Sequence, residues 1–125
     1  MSGPIVFVSH LRVREGRLGA MRAMTSRVVE QIRADKPLTA AFLAYLSEDE
    51  SMLTIVHVFA DADAMDRHIE GANDRAQAAY ELLEQVAWEI YGEPSEQAIA
   101  TMRAGAAATG ATLTLVPGSL GGFLR

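Results

Sequence analysis

The segment VFADADAMDRHIEG (Val58–Gly71) places three aspartates and a histidine within eight residues, directly after an apolar run typical of a strand. Such a set could form a metal site, an acid–base site or the polar beginning of a helix. An EF-hand loop starting at Asp61 would have Met65 and Asp66 where a ligand oxygen and a glycine are required. No second histidine completes a zinc motif of the HExxH kind. Asp61 is instead placed to cap a helix, so the sequence predicts a helix start and no bound metal.

The residues before this segment predict three strands and one helix. The strands are runs rich in β-branched and other apolar residues, namely Ile5–Val13, Leu38–Leu46 and Met52–Phe59. Between the first two strands, apolar residues recur at helical spacing from Leu18 to Ile32. The helix must stop before Pro37, because the residue preceding a proline disfavours helical angles. The polar turn Ser47–Ser51 is short enough to join the last two strands as a hairpin.

The second half of the chain predicts a long helical region and a final strand. From Arg75 to Tyr91 the apolar residues follow helical spacing up to a Gly-Pro stop. A shorter helix, capped by Ser95, precedes a last strand at Ala111–Val116. This order of elements is that of a ferredoxin-like βαββαβ sandwich, an α+β fold with helices on one face of the sheet. We expect residues 1–125 to form one such domain.

The predicted strands carry apolar side chains on both of their faces. In the first strand, Ile5 and Phe7 alternate with Val6 and Val8, which point the opposite way. Strands that are apolar on both sides need both faces of their sheet covered, and the helices of one chain cover only one face. The sequence therefore predicts a homodimer in which a second copy covers the open face.

The segment from Phe59 to His68 resembles the antibiotic biosynthesis monooxygenase (ABM) superfamily. The resemblance consists of a D-x-x-A-x-x-x-H signature, which Asp61, Ala64 and His68 match just after the third predicted strand. The predicted order of elements also matches, so the resemblance spans about residues 4–117. It implies a dimeric α/β-barrel fold with a pocket between the sheet and the helices of each protomer.

Several features depart from the pattern of that superfamily. Its cofactor-independent oxygenases of polycyclic aromatics often carry a tryptophan just before the aspartate, where this chain has Val58 and Phe59. Its haem-degrading members use an asparagine, tryptophan and histidine set that has no counterpart here. The segment 74–109 is also longer than in the compact members. The resemblance thus implies the fold and leaves the activity open, because chemistry depends on the site rather than on the fold.

Composition and charge exclude several classes of function. Half of the 125 residues are hydrophobic, and the formal net charge is −5 without a strong basic patch, which argues against nucleic acid or a membrane surface as a partner. The chain has no cysteine, so disulfides, thiolate catalysis and cysteine-ligated zinc are excluded. The N-terminal apolar run is too short for a membrane span and lacks the features of a signal peptide, so a cytoplasmic location is expected.

Four side chains are candidates for binding a ligand, namely His10, His57, Trp88 and Tyr91. The two histidines fall in the middle of neighbouring predicted strands, and an imidazole can act as a base near neutral pH. The two aromatic residues end the predicted helix that covers these strands. Each of the four could instead be a hydrogen-bonded core or packing residue, and strand parity could turn the histidines to opposite faces.

Two functions fit this pattern. The first is a monooxygenase without cofactor, metal or flavin that acts on a small apolar or aromatic molecule. The second is a non-catalytic dimeric module that binds such a molecule. The sequence contains no nucleophile elbow, phosphate-binding loop or dinucleotide fingerprint that favours another reaction. It identifies no catalytic residue.

Overall fold

The computed structural model describes residues 3–125 except for the side chain of Asn73. Within this range the chain forms five strands and four helices, numbered in chain order. They are β1 (Ile5–Val13), α1 (Leu18–Asp35), β2 (Thr39–Leu46), β3 (Met52–Phe59), α2 (Ala62–Ile69), α3 (Ala72–Tyr80), β4 (Leu83–Tyr91), α4 (Glu96–Thr109) and β5 (Thr112–Val116). Among these helices, none is long and apolar enough to cross a membrane.

The strands form one sheet in the order β2-β3-β1-β4-β5. Neighbouring strands are antiparallel, except that β4 and β5 are parallel and are connected through α4. The elements from β1 to β4 complete the βαββαβ arrangement, with α2 and α3 together in the place of the second helix. The predicted ferredoxin-like α+β fold is therefore confirmed. The helix α4 and the strand β5 extend it at one edge, and the sheet of one chain is open rather than closed into a barrel.

The core lies between one face of the sheet and the helices. One cluster of buried side chains, which includes Phe59 and Ile90, packs beneath α2 and α4. A second cluster, which includes Met21 and Leu53, packs beneath α1. The opposite face of the sheet has no helix on it in the described part of the chain, so the apolar residues of that face stay partly exposed.

Residues Leu83–Tyr91 form a strand, so the prediction of one helix from Arg75 to Tyr91 is wrong. The helix α3 ends at Tyr80, and the chain then enters the sheet beside β1. β-Branched and aromatic residues such as Val86 and Trp88 favour a strand. The helical spacing of the apolar residues in this segment obscures that signal.

A β-bulge in β4 explains the helical spacing. Opposite β1, His10 pairs with Ala87 but Leu11 pairs with Gln85, which leaves Val86 as an extra residue on β4. The extra residue shifts the alternation of the strand, so that side chains an odd number of positions apart face the same side of the sheet. The apolar pattern therefore loses the period of two that marks a strand.

Asp61 is the N-cap of α2, as predicted. Its carboxylate accepts a hydrogen bond from the backbone N–H of Ala64 at 2.9 Å, and Asp63 lies in the first turn, where negative charge is favourable. Ser95 caps α4 in the same way by accepting from the backbone N–H of Ala98 at 3.0 Å. Within residues 3–125 we find no group of three or more side chains that could hold a metal ion.

Replacement of Asp61 by alanine removes the cap of α2 and is expected to lower the free energy of unfolding by about 0.5–2 kcal/mol. Urea unfolding measures the change. Asp61→Asn keeps a capping side chain and is the matched control, for which we expect a smaller loss. Unchanged stability of the alanine variant contradicts this role, as does stoichiometric metal in chelator-free protein together with destabilisation by EDTA.

Candidate functional site

A cavity of about 220 Å³ lies between the helix-covered face of the sheet and the helices. Its walls are mostly apolar and include the aromatic rings of Phe7, Phe42 and Trp88. Several polar side chains also line it, among them Ser9, His57, His68, Arg75, Tyr80 and Gln85. An apolar cavity with a few converging polar groups is the usual form of a site for a small molecule.

His57 lies in the middle of β3 on the cavity wall and is 6% exposed. Its Nδ1 is 3.0 Å from the backbone carbonyl oxygen of Phe7, which can only accept a hydrogen bond, so Nδ1 carries the proton. Burial lowers the pKa of His57 to about 4, and the positive charge of Arg75 acts in the same direction. The imidazole is therefore neutral at neutral pH, with an unprotonated Nε2.

The Nε2 atom of His57 has no hydrogen-bond partner among the described residues. In the same part of the chain, every side-chain nitrogen or oxygen that is fully shielded from solvent has a partner. Nε2 must therefore be accessible, and the accessible space beside it is the cavity. A neutral nitrogen of this kind can accept a hydrogen bond or a proton from a ligand hydroxyl.

Aromatic rings surround His57. The ring of Phe7 stacks on the imidazole with centroids 4.6 Å apart, and Phe42 contacts it edge-on at 5.0 Å. The indole of Trp88 in turn meets Phe7 edge-on at 6.2 Å. Gly105 of α4 allows the indole to pack closely, since an added Cβ there would lie 3.0 Å from Cη2 of Trp88. These contacts fix the imidazole plane and give the cavity flat walls.

A second histidine, His68 of α2, lies edge-on to His57 with ring centroids 5.1 Å apart. Its Nδ1 is 2.7 Å from the hydroxyl of Thr39, and burial, together with the neighbouring His57, lowers its pKa to about 3. The guanidinium of Arg75 donates to the backbone carbonyls of His68 and Glu70 at the end of α2. No described carboxylate pairs with this cation. The site thus combines two neutral imidazoles with one cation in apolar surroundings.

The structure divides the four predicted ligand-binding residues into two pairs. His57 and Trp88 line the cavity. His10 lies three residues after Phe7 on β1 and therefore faces the opposite side of the sheet, as does Tyr91 of β4. The expectation that all four side chains surround one pocket is wrong. The cause is the alternation of side chains along a strand, which turns His10 and Tyr91 to the face opposite the cavity.

His10 belongs instead to a polar group on the open face. Its Nε2 is 3.3 Å from the carboxylate of Glu89, and its Nδ1 is 3.4 Å from the hydroxyl of Thr54. Tyr91 donates to the same carboxylate at 3.3 Å. Large apolar side chains around this group are exposed to solvent, namely Leu43 at 46%, Tyr45 at 58% and Val116 at 39%.

Most polar residues of the cavity were not among the candidates from the sequence, including His68, Arg75 and Gln85. His68 carried a signal, because it ends the D-x-x-A-x-x-x-H signature. Arg75 and Gln85 carried none. Arg75 reaches the cavity only because α3 folds back over the sheet, and Gln85 only because the bulge turns its side chain inward.

Solved structures of other proteins resemble this chain. MupZ of Pseudomonas fluorescens matches with a TM-score of 0.70 at 15% identity, over 98% of this chain and 95% of MupZ. A Caulobacter crescentus protein assigned as an antibiotic biosynthesis monooxygenase matches with a TM-score of 0.62 at 17% identity, over 71% and 86% of the two chains. SnoaB, a cofactor-independent oxygenase from Streptomyces nogalater, matches with a TM-score of 0.61 at 18% identity, over 74% and 95%.

The chain has the antibiotic biosynthesis monooxygenase fold. The resemblance inferred from the signature between Asp61 and His68 is thus confirmed at the level of the fold. The match to MupZ covers 98% of this chain and therefore includes α4 and β5. The matches to the Caulobacter protein and to SnoaB cover 71% and 74% of this chain, which is close to the fraction of the chain that lies between the start of β1 and the end of β4. No protein-family model and no curated protein matches the sequence.

Proposed function

We propose that the protein is a cofactor-independent monooxygenase of a small aromatic molecule and that His57 is its base. The observation that carries this proposal is the unprotonated Nε2 of His57 at the wall of an apolar cavity. The proposal draws support from SnoaB, a cofactor-independent oxygenase with the same fold. Trp88 belongs to the ligand-binding wall, whereas His10 and Tyr91 belong to the open face.

The shape and size of the cavity favour a flat ligand of modest size. Flat walls formed by Phe7, Phe42 and Trp88 stack well on aromatic rings. A volume of about 220 Å³ is below the roughly 300–1,000 Å³ of sites for drug-sized molecules. We therefore infer a substrate of two or three fused rings.

The reaction begins with proton removal from the substrate. Transfer of a hydroxyl or enol proton to Nε2 of His57 leaves an electron-rich anion, which can reduce O₂ without a bound cofactor. In the overall reaction a ring CH₂ group and O₂ give a ring carbonyl and water. One oxygen atom enters the product, and the other leaves with the two hydrogens of the CH₂ group.

The low pKa of His57 determines which substrates are suitable. Transfer from a phenol of pKa about 10 to a base of pKa about 4 is uphill by roughly 8 kcal/mol. A barrier of about 16 kcal/mol still permits turnover at roughly 10 s⁻¹, so this step does not by itself prevent catalysis. The positive charge of Arg75 favours the anion. Substrates more acidic than simple phenols, such as enolised anthrones, fit this site best.

The same low pKa favours a second function, a non-catalytic module that binds a small aromatic molecule. A weakly basic imidazole accepts a hydrogen bond from a hydroxyl more readily than it accepts the proton. In this function the ligand would lie in the same cavity and leave unchanged.

Oxygen uptake and thermal stabilisation distinguish the two functions. With anthrone in chelator-treated, cofactor-free buffer, we expect oxygen uptake that equals the anthraquinone formed. We also expect 2-naphthol to raise the melting temperature. Stabilisation by naphthol without oxygen uptake supports the binding module. The absence of both effects across a panel of phenols and anthrones contradicts both functions.

We further propose that the protein is a homodimer in which a second copy covers the open face of the sheet. Exposed Leu43 and Tyr45 and the half-buried valines of β1 and β3 make this face apolar. Two such sheets packed face to face would form the barrel that the fold resemblance implies. An obligate interface of this kind buries about 2,000 Å² or more in total.

A further inference from the structure

The β-bulge in β4 brings the side chain of Gln85 to the cavity. In a regular strand, Gln85 and Trp88 are three positions apart and would face opposite sides of the sheet. Because Val86 is an extra residue on β4, both side chains line the cavity. β-Bulges recur beside functional sites, where they change the direction of a side chain.

Trp88 fixes the orientation of the Gln85 amide. The indole Nε1–H can only donate, and it donates to Oε1 of Gln85 at 2.9 Å. The amide nitrogen of Gln85 is therefore the free end of the group. Among the residues that the structure describes, nothing accepts a hydrogen bond from it. Gln85 thus offers a donor of fixed orientation.

Gln85 and His57 line the same cavity at well-separated positions. On the central strand β1, the partner of His57 is Phe7 and the partner of Gln85 is Leu11. Four residues along a strand and two strand spacings put the Cα atoms of Gln85 and His57 roughly 16 Å apart. Two hydrogen bonds of about 2.9 Å and the lean of the side chains along their strands take up part of this distance, and a fused ring system with an oxygen at each end spans the rest.

Gln85 also lies where the cavity meets a second cavity of about 480 Å³. The two cavities share Tyr80, Leu83, Gln85 and Gly105.

We propose that Gln85 determines ligand specificity by donating a hydrogen bond to a carbonyl oxygen of the ligand. This oxygen lies at the end of the ring system opposite to the hydroxyl that contacts His57. The inference rests on the proposed function, because both place the ligand in the same cavity. The ligand class is a fused aromatic ring system with a phenolic or enolic hydroxyl at one end and a ketone at the other. Trp88 is a positioning residue.

Two probes that differ in one carbonyl group test this role. They are 6-hydroxy-2-tetralone and 5,6,7,8-tetrahydro-2-naphthol, which share the ring skeleton and a phenolic hydroxyl of similar acidity, because the ketone is not conjugated with the phenol ring. Calorimetric titration of the wild-type protein is expected to give an affinity about five-fold higher for the ketone, the effect of one neutral hydrogen bond. Equal affinities for the two probes overturn the role of Gln85 and leave the proposed function standing.

Gln85→Glu is the variant that isolates the donor. At pH 8 its carboxylate still accepts from Trp88 but has no proton to donate, so the preference for the ketone disappears. The affinity for the tetrahydronaphthol changes less than about two-fold, because that probe has no group at this end. Trp88→Phe keeps the ring but releases the amide, and it is expected to weaken the preference as well. Thermal unfolding checks that both variants are folded.

Two further outcomes contradict the inference. A five-fold preference that persists in Gln85→Glu overturns the role of Gln85, as does an equal loss of affinity for both probes. Failure of both probes to bind the wild-type protein overturns the role of Gln85 together with the proposed ligand site.

Discussion

Replacement of Val56 by aspartate is expected to convert the proposed homodimer into monomers. Val56 lies on β3 in the open face, between Val8 of β1 and Leu43 of β2. In the dimer a carboxylate at this position would be buried without a partner, which costs about 3–5 kcal/mol. Two-fold symmetry places two such charges in the interface. The dissociation constant is therefore expected to rise by more than about 100-fold.

Two further variants make this test specific. Leu43→Asp changes a side chain that is 46% exposed in the single chain, so the monomer should tolerate it while the dimer should not. Ser26→Asp adds the same charge to the exposed face of α1 and should leave association unchanged. Analytical ultracentrifugation at micromolar concentration measures the oligomeric state. A monomeric wild-type protein, or a dimeric Val56→Asp variant, contradicts the proposal.

Replacement of His57 by glutamine is expected to remove most of the proposed oxygenase activity. The glutamine amide can still donate to the carbonyl of Phe7, but it has no basic nitrogen. Loss of a general base lowers rates by about 10²–10⁴-fold, so kcat for anthrone should fall by that factor. KM should change less than about three-fold, because the aromatic walls that bind the rings remain. An unchanged kcat in a folded variant contradicts the assignment of His57 as the base.

The pH dependence of the wild-type activity gives an independent readout. A group whose folded-state pKa is lowered to about 4 becomes protonated only as the pH falls towards that value. We therefore expect kcat to hold steady as the pH is lowered from about 6.5 to 5, where an ordinary imidazole with a pKa near 6.5 would already lose activity. Ionisation of a substrate hydroxyl in solution also changes with pH. Repeating the profile with substrates of different pKa distinguishes this ionisation from that of His57.

Local signals in the sequence were sufficient to predict much of the fold. The strands β1 and β3 have the predicted bounds because β-branched residues fill them and polar turns flank them. The helix α1 ends before Pro37, and α2 begins after Asp61, because these residues act on the backbone beside them. The strand β4 escaped prediction because its bulge depends on pairing with β1, a contact between distant parts of the chain.

The candidate site was predicted only in part, for the same physical reason. His57 was identified because an imidazole among apolar strand residues is conspicuous in the sequence. His10 has the same surroundings in sequence, and only the position of the helices relative to β1 shows that it faces away from the cavity. Gln85 looks like an ordinary polar residue until the bulge and the bond to Trp88 are known.

The protonation state of His57 tests the central claim most directly. Nitrogen-15 NMR of the histidine side chains reports the tautomer and the charge of each imidazole. The proposed site predicts that His57 stays neutral from about pH 5 to 8, with the proton on Nδ1, because burial lowers its pKa to about 4. It also predicts that the Nε2 resonance shifts when 2-naphthol is added. A His57 that titrates near pH 6.5, or an Nε2 resonance that does not respond to the naphthol, would contradict it.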